Sequence, residues 1–344
     1  MSKISTIHDE KALNEQLVIP HPRLVDLFKT LDGDIMVIGV AGKMGPTLAA
    51  LAVRASDQAG VNKKIYGVAR FSDPASRDWL ESHHVTTITC DLLQADQVAA
   101  LPKIKNIIYM AGRKFSTAGS EELTWAMNTL APTWVAEHFK ESRIVVFSTG
   151  CVYKLVDIAQ GGSLESDPPE PIGEYAQSCL GRERIFAYHC TKNNTPMLLY
   201  RLNYANDLRY GVLYDIAEKV WNDQPINLTV PFFNVIWQGD ANNYALLALS
   251  ACTVPATIMN ITGPETVSTR YVAQTFGRLF GKKVRFEGDE GRRCYLSNAA
   301  LCHRTFGYPH MPLEKMLQLQ AAWLQSGGCG LGKPTHFEVT DGKY

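Results

Sequence analysis

The 344-residue chain has no excess of charge of either sign: 34 Lys+Arg stand against 34 Asp+Glu. It lacks the basic footprint that draws nucleic acids and anionic membranes, so neither is expected as a partner. No apolar run reaches the roughly eighteen residues of a membrane span. The opening stretch MSKISTIHDEKALNEQ has no apolar segment of the signal-peptide kind, which makes a cytoplasmic location the expectation. None of the 8 cysteines falls in a C-x-x-C pair, so buried free thiols are expected rather than a disulfide framework. His83 and His84 are adjacent, but no H-x-x-x-H or mixed Cys/His spacing is present, and no metal is expected. Internal repeats and low-complexity linkers are also missing. What remains is an ordinary globular composition, 46% hydrophobic and 20% charged, long enough for one large or two fused domains.

Short apolar runs alternate with helical patterns through the first half. The strand-like runs are IMVIGV, KKIYGVAR, TTITCD, NIIYMAG and RIVVFST, with helices expected after the first and over about 120–140. This alternation predicts an α/β fold, a Rossmann-type doubly wound parallel sheet covered on both faces, with a smaller C-terminal substrate-binding region. The expected organisation is an N-terminal extension over 1–33 and a dinucleotide-binding domain over 34–200. A mainly substrate-binding region over 201–325 and a loop-like tail over 326–344 complete it. In the second half, helices are expected near 173–192, 209–223, 267–280 and 312–325, with strands at MLLYRLN, 258–261 and KKVRFE.

The first strand runs into G-V-A-G-K-M-G, which places glycines at 39, 42 and 45 directly before an Ala-rich helix. Such a loop lets backbone N–H groups and a helix N-terminus approach a pyrophosphate, where the macrodipole favours negative charge. Gly39, Gly42, Lys43, Met44 and Gly45 are therefore candidate cofactor contacts.

With this spacing and the segments that follow, the chain resembles the short-chain dehydrogenase/reductase superfamily in its extended, epimerase/dehydratase-like branch. Asp91 in TTITCDLLQ resembles that family's adenine-contacting Asp, with Leu92 beside it. IIYMAG resembles its fourth-strand signature, giving Ala111 and Gly112, and VVFSTGCVY its fifth-strand motif. PIGEYAQSCLGRE fits P-x-x-x-Y-x-x-S-K-x-x-x-E at Pro171, Tyr175, Ser178 and Glu183, while YRLN and MNITGPETVS echo the C-terminal half. The resemblance implies a nicotinamide dinucleotide cofactor, a small-molecule substrate and a homodimer built from the helices near 120–140 and 173–192. At the end of the second strand, where NAD-preferring relatives carry an acid, Ala69 is followed by Arg70. A guanidinium can pair bidentately with a 2′-phosphate that a carboxylate would repel, so NADP(H) is expected, with NAD(H) as second choice.

The resemblance assigns Thr149 to orient the reacting oxygen, Tyr175 to transfer its proton and Asn128 to support a relay. It also requires a lysine four residues after the tyrosine, one turn along the same helix face, to lower the tyrosine pKa. Residue 179 is Cys, and a thiolate has the wrong charge for that task. Lys114, Lys154 and Arg182 are the candidate substitutes. Otherwise the tyrosine works unassisted, or the protein binds a dinucleotide without turnover. Where nucleotide-sugar relatives place an Arg-Asp pair, the chain has Phe233 and Asn234, with Asp240 retained. Arg292 and Arg293 remain as anion candidates. The expected reaction is hydride transfer at a carbinol or ketone of a small sugar, polyol or sugar acid. A silent dinucleotide-binding protein and a nucleotide-sugar epimerase or dehydratase are the alternatives.

Overall fold

A computed structural model of the protein describes residues 7–114, 119–333 and 335–342. The remaining residues, which include the start of the N-terminal extension and the end of the tail, lie outside the described residues. Seven strands form the central sheet: β1 Ile35–Ile38, β2 Ile65–Ala69, β3 Thr86–Thr89, β4 Asn106–Tyr109, β5 Arg143–Thr149, β6 Met197–Leu202 and β7 Thr257–Ile261. All pair in parallel, in the spatial order β7-β6-β5-β4-β1-β2-β3. β1, β4 and most of β5 are buried along their length, which accounts for their unbroken apolar runs: helices cover both faces. The order reverses between β1 and β4, and a crevice opens there at the carboxyl ends of the strands.

Four features differ from the sequence expectation. The segment 257–261 pairs with β6, from Thr257 opposite Leu198 to Ile261 opposite Leu202, so the chain beyond 200 returns to complete the sheet. The helix expected over 120–140 is broken: helical turns at Glu121–Trp125 and Ala131–His138 flank a π-helical turn at Ala126–Leu130 that contains Asn128. Such single π turns arise where an extra residue is accommodated, often at functional sites. KKVRFE supplies only the two-residue strand Phe286–Glu287, paired with Ile226–Asn227. An unexpected first helix, Glu10–Leu17, starts where the Asp9 carboxylate accepts the Ala12 N–H at 2.7 Å. Its buried Leu13 and Leu17 pack into the core of the second half.

Candidate active site

Gly39 follows β1 with φ +88°, and a Cβ there would lie 2.6 Å from the Ala111 amide nitrogen beyond β4. Gly45 opens the helix Gly45–Ala59, where a Cβ would meet the Val40 carbonyl oxygen at 2.2 Å. These two glycines let the loop turn tightly between β1 and β4. On either side of the loop lies a cavity. The outer one, about 460 Å³, is walled by Ala69, Arg70, Asp91, Leu92 and Ala111, among others. The inner one, about 530 Å³, reaches Lys43, Met44, Ser148, Thr149 and Tyr175. Gly39, Ala41, Gly42, Met110 and Gly112 line both. Gly45 lines neither and acts through the shape of the turn.

An elongated dinucleotide fits two cavities joined at a glycine loop. The outer cavity also holds an orphaned polar group, Ser76 Oγ, which is buried without a partner among the described residues. Asp73, not anticipated from the sequence, lines the same wall, and its carboxylate accepts the Ala75 N–H at 3.1 Å to cap a helix. Arg70 is exposed at this wall.

Thr149 ends β5. Its hydroxyl accepts the Cys151 N–H at 3.1 Å and is hydrogen-bonded to Tyr175, in the first turn of the helix Gly173–Asn193. Cys179 lies one turn on, buried and hydrogen-bonded to Tyr175. Burial pushes its thiol above the ordinary value, so it is a neutral, compact neighbour.

Two of the three candidate cations reach the tyrosine. The Lys114 Nζ stands 5.9 Å from the Tyr175 ring centroid. Arg182 lies buried further along the tyrosine helix; it donates to the Phe147 carbonyl at 2.9 Å and to Asn128 Oδ1, and its charge favours ionised Tyr175. Lys154, by contrast, is exposed and paired with Glu170 at 2.7 Å. Burial still dominates Tyr175 and holds its pKa well above the usual tyrosine range. The tyrosine is therefore protonated at neutral pH. Lys114 is shifted down by desolvation, and Lys43 is pushed down to about 8 for the same reason. Lys43 leans into the inner cavity, its Nζ 4.4 Å above the Tyr210 ring and 4.0 Å from Asp207.

Asn128 does not line either cavity. Its Oδ1 accepts from the Arg113 N–H at 3.0 Å and from Arg182, and its Nδ2 donates to Ser178 Oγ at 2.9 Å and to the Arg113 carbonyl at 3.2 Å. It therefore ties the loop after β4 to the tyrosine helix. A Cβ at Gly112 would lie 2.3 Å from Arg182 Nη2 and 2.9 Å from Asn128 Oδ1, so any larger residue there would displace the Arg182–Asn128 contact.

Further residues of the inner cavity escaped the sequence: Asn203, Tyr204, Tyr210, Val212 and, from the tail, Leu331, Lys333 and Thr335. No acid is among the described residues that line it, whereas Lys43, Lys114 and Lys333 are. Phe233 is buried against Phe337. Arg292 and Arg293 are exposed away from both cavities. Asp240 accepts from His21 at 2.7 Å and from the His310 and Met311 N–H groups at 3.1 and 3.0 Å, a structural role. No group of three metal-ligating side chains exists among the described residues.

Residues 35–205 match the model of the NAD dependent epimerase/dehydratase family. The chain belongs to this family of nicotinamide-dependent enzymes. A curated relative, the (S)-8-oxocitronellyl enol synthase ISY1 of Nepeta cataria, is 34% identical over 107 residues, which are 28% of this chain and 26% of that one. Among solved structures, a UDP-glucuronic acid 4-epimerase from Bacillus cereus with UDP-glucuronic acid and NAD has TM-score 0.71 at 17% identity, covering 85% of this chain and 99% of that one. The UDP-glucose 4-epimerase of Thermus thermophilus with NAD has TM-score 0.67 at 17% identity, with coverage of 85% and 99%. At this identity the likeness is one of fold.

Proposed function

We propose that the protein is an NADP(H)-dependent oxidoreductase that reduces a small carbonyl compound, with a keto sugar acid or other oxo acid favoured over a neutral keto sugar. The observation that carries this reading is the inner cavity, where the Thr149–Tyr175 pair meets Lys114, no carboxylate is among the described residues of the wall, and the charge of Arg182 acts on Tyr175 from behind it. The dinucleotide supplies the hydride. Thr149 holds the substrate oxygen, and Tyr175, protonated at neutral pH, donates to that oxygen as it gains charge. Lys114 and Arg182 favour the negative charge that develops there, the task that a lysine at 179 would otherwise serve. Lysines without acids also suit an anionic substrate. Phe147, Leu202, Tyr204 and Val212 make the rest of the wall largely apolar.

A screen of NADPH consumption against oxo acids, keto sugars, aldehydes and ketones tests the reading, with turnover of at least one oxo acid expected. A second reading, a nucleotide-sugar epimerase, is favoured by the fold shared with UDP-sugar enzymes. The buried Phe233 weighs against it, because a phenyl ring cannot neutralise a diphosphate. Interconversion of UDP-glucose or UDP-glucuronic acid without NADPH consumption would establish the second reading instead. Tight dinucleotide binding with no turnover in either assay would identify a silent binder.

Arg70 at the outer cavity is the proposed 2′-phosphate contact. Arg70→Ala is expected to weaken NADPH binding by about tenfold or more, the worth of a charge-assisted pair. NADH affinity should stay the same; fluorescence titration of both cofactors reads the difference.

The assembly proposed is a homodimer. Trp125, Leu130 and Trp134 are exposed on the Glu121–His138 stretch, and Tyr188 on the adjoining tyrosine helix. An apolar strip of this kind suits an isologous contact. Light scattering should give twice the 38.2 kDa chain mass, and Trp134→Glu should return the monomer.

A further inference from the structure

The last helix, Leu313–Gln325, is followed by a glycine-rich stretch, G-G-C-G-L-G, at 327–332. The stretch is anchored on both sides. At its start, the Gly328 N–H donates to the Trp323 carbonyl at 2.8 Å. Midway, the Leu331 N–H donates to the Arg209 carbonyl at 2.9 Å. Beyond it, the Thr335 N–H donates to Asp215 Oδ2 at 2.9 Å, Glu338 pairs with Lys219, and Phe337 is buried in the second-half core. Gly342 packs against Gly173, where a Cβ would lie 2.4 Å from the Gly342 carbonyl oxygen, at the start of the tyrosine helix. The glycine-rich stretch spans a cavity of about 620 Å³ above Tyr214, Asp215 and Trp221. It is thus a strap fixed at both sides and pinned once between them, at Leu331.

Lys333 is placed by this strap where the two dinucleotide cavities meet, lining both together with Gly39 and Gly42. Among the described residues that line both cavities it is the charged one. The middle of a dinucleotide, its pyrophosphate, must cross where the two cavities meet. We propose that the C-terminal strap is part of the dinucleotide site and that Lys333 is its contact to the cofactor pyrophosphate, closing from above what the glycine loop cradles from below. This inference rests on the dinucleotide reading of the two cavities. The strap also brings Leu331 and Thr335 to the inner cavity, so one segment closes over cofactor and substrate together.

The experiment is a fluorescence titration of the full chain with NADPH and with reduced nicotinamide mononucleotide, which carries no pyrophosphate. Lys333→Glu is expected to weaken NADPH by about tenfold or more, to change mononucleotide affinity by much less, and to flatten the salt dependence of NADPH binding. Lys333→Arg should restore wild-type affinity. Lys333 is exposed, so unchanged melting temperatures are expected and confirm that the variants fold. Wild-type affinity in Lys333→Glu, or equal losses for both ligands, would overturn the inference while the dinucleotide reading stands. Failure of the wild type to bind NADPH or NADH would overturn both.

Discussion

Tyr175→Phe is expected to lower kcat/KM for the carbonyl substrate by about 10²–10⁴-fold, the usual worth of a positioned proton donor. NADPH affinity should be nearly unchanged. The asymmetry follows from the site: the Tyr175 hydroxyl meets Thr149 and Cys179 in the inner cavity, while most polar contacts to a dinucleotide would come from the glycine loop and the outer wall. Lys114→Met should be damaging too, because removing a cation that favours the ionised product oxygen by one pKa unit costs about tenfold. The pH profile separates charge from packing. Burial already holds Tyr175 well above its ordinary pKa, so it keeps its proton through neutral pH and contributes no fall in rate there. Lys114 is shifted down, so its charge disappears as pH rises through that lowered value and the rate should fall on the alkaline side. Lys114→Arg should move this fall to higher pH, and Lys114→Met should lose it. Lys43, pushed down to about 8, titrates in the same region; Lys43→Arg moves the fall instead if that group is responsible. A Lys114→Met variant with wild-type rate and profile would remove the lysine from the mechanism.

The proposed cofactor half of the site rests on local logic. Glycines at 39, 42 and 45 between a strand and a helix state the turn, and with it the proposed phosphate cradle, within a few residues, and the helical period joins Tyr175 to residue 179. The cation beside the tyrosine was legible only as a set of candidates. Lys114 and Lys154 each follow a strand of the parallel sheet, and nothing in their own segments says which reaches the tyrosine; Lys114 lines the inner cavity, whereas Lys154 turns outward to Glu170. The tail reads as a polar, glycine-rich arm. Its place in the site depends on Asp215, Phe233 and Gly173, distant residues that gain meaning only after the second half folds. Asn128 was recognisable by position, but its bonds to Arg113, Arg182 and Ser178 give it a tethering rather than a cavity-facing role. The seventh strand escaped assignment to the sheet because a parallel pairing leaves no turn signal between partners.

The largest expected loss of stability lies beneath the site. Among the described residues, Arg201 is the largest fully buried side chain. Its Nε and Nη2 donate to the two oxygens of Glu183 at 2.9 and 2.7 Å, and its Nη1 donates to the Tyr153 hydroxyl at 2.7 Å. Tyr153 in turn donates to Asn260 Oδ1 at 2.9 Å, which links β6, the segment after β5, the tyrosine helix and β7. Arg201→Met would leave the Glu183 carboxylate buried without its cation, at a cost of about 3–5 kcal/mol read by urea unfolding at pH 8. Replacing both, Arg201→Met with Glu183→Leu, should recover much of that cost, because two desolvated charges are removed together. Because Ser148 Oγ donates to Glu183 Oε1 at 2.5 Å and lines the inner cavity beside Thr149, the single variant should also lose activity at temperatures where it remains folded. An Arg201→Met protein as stable as wild type at pH 8 would mean that the ion pair contributes no net stability, and that packing around the network holds these elements together.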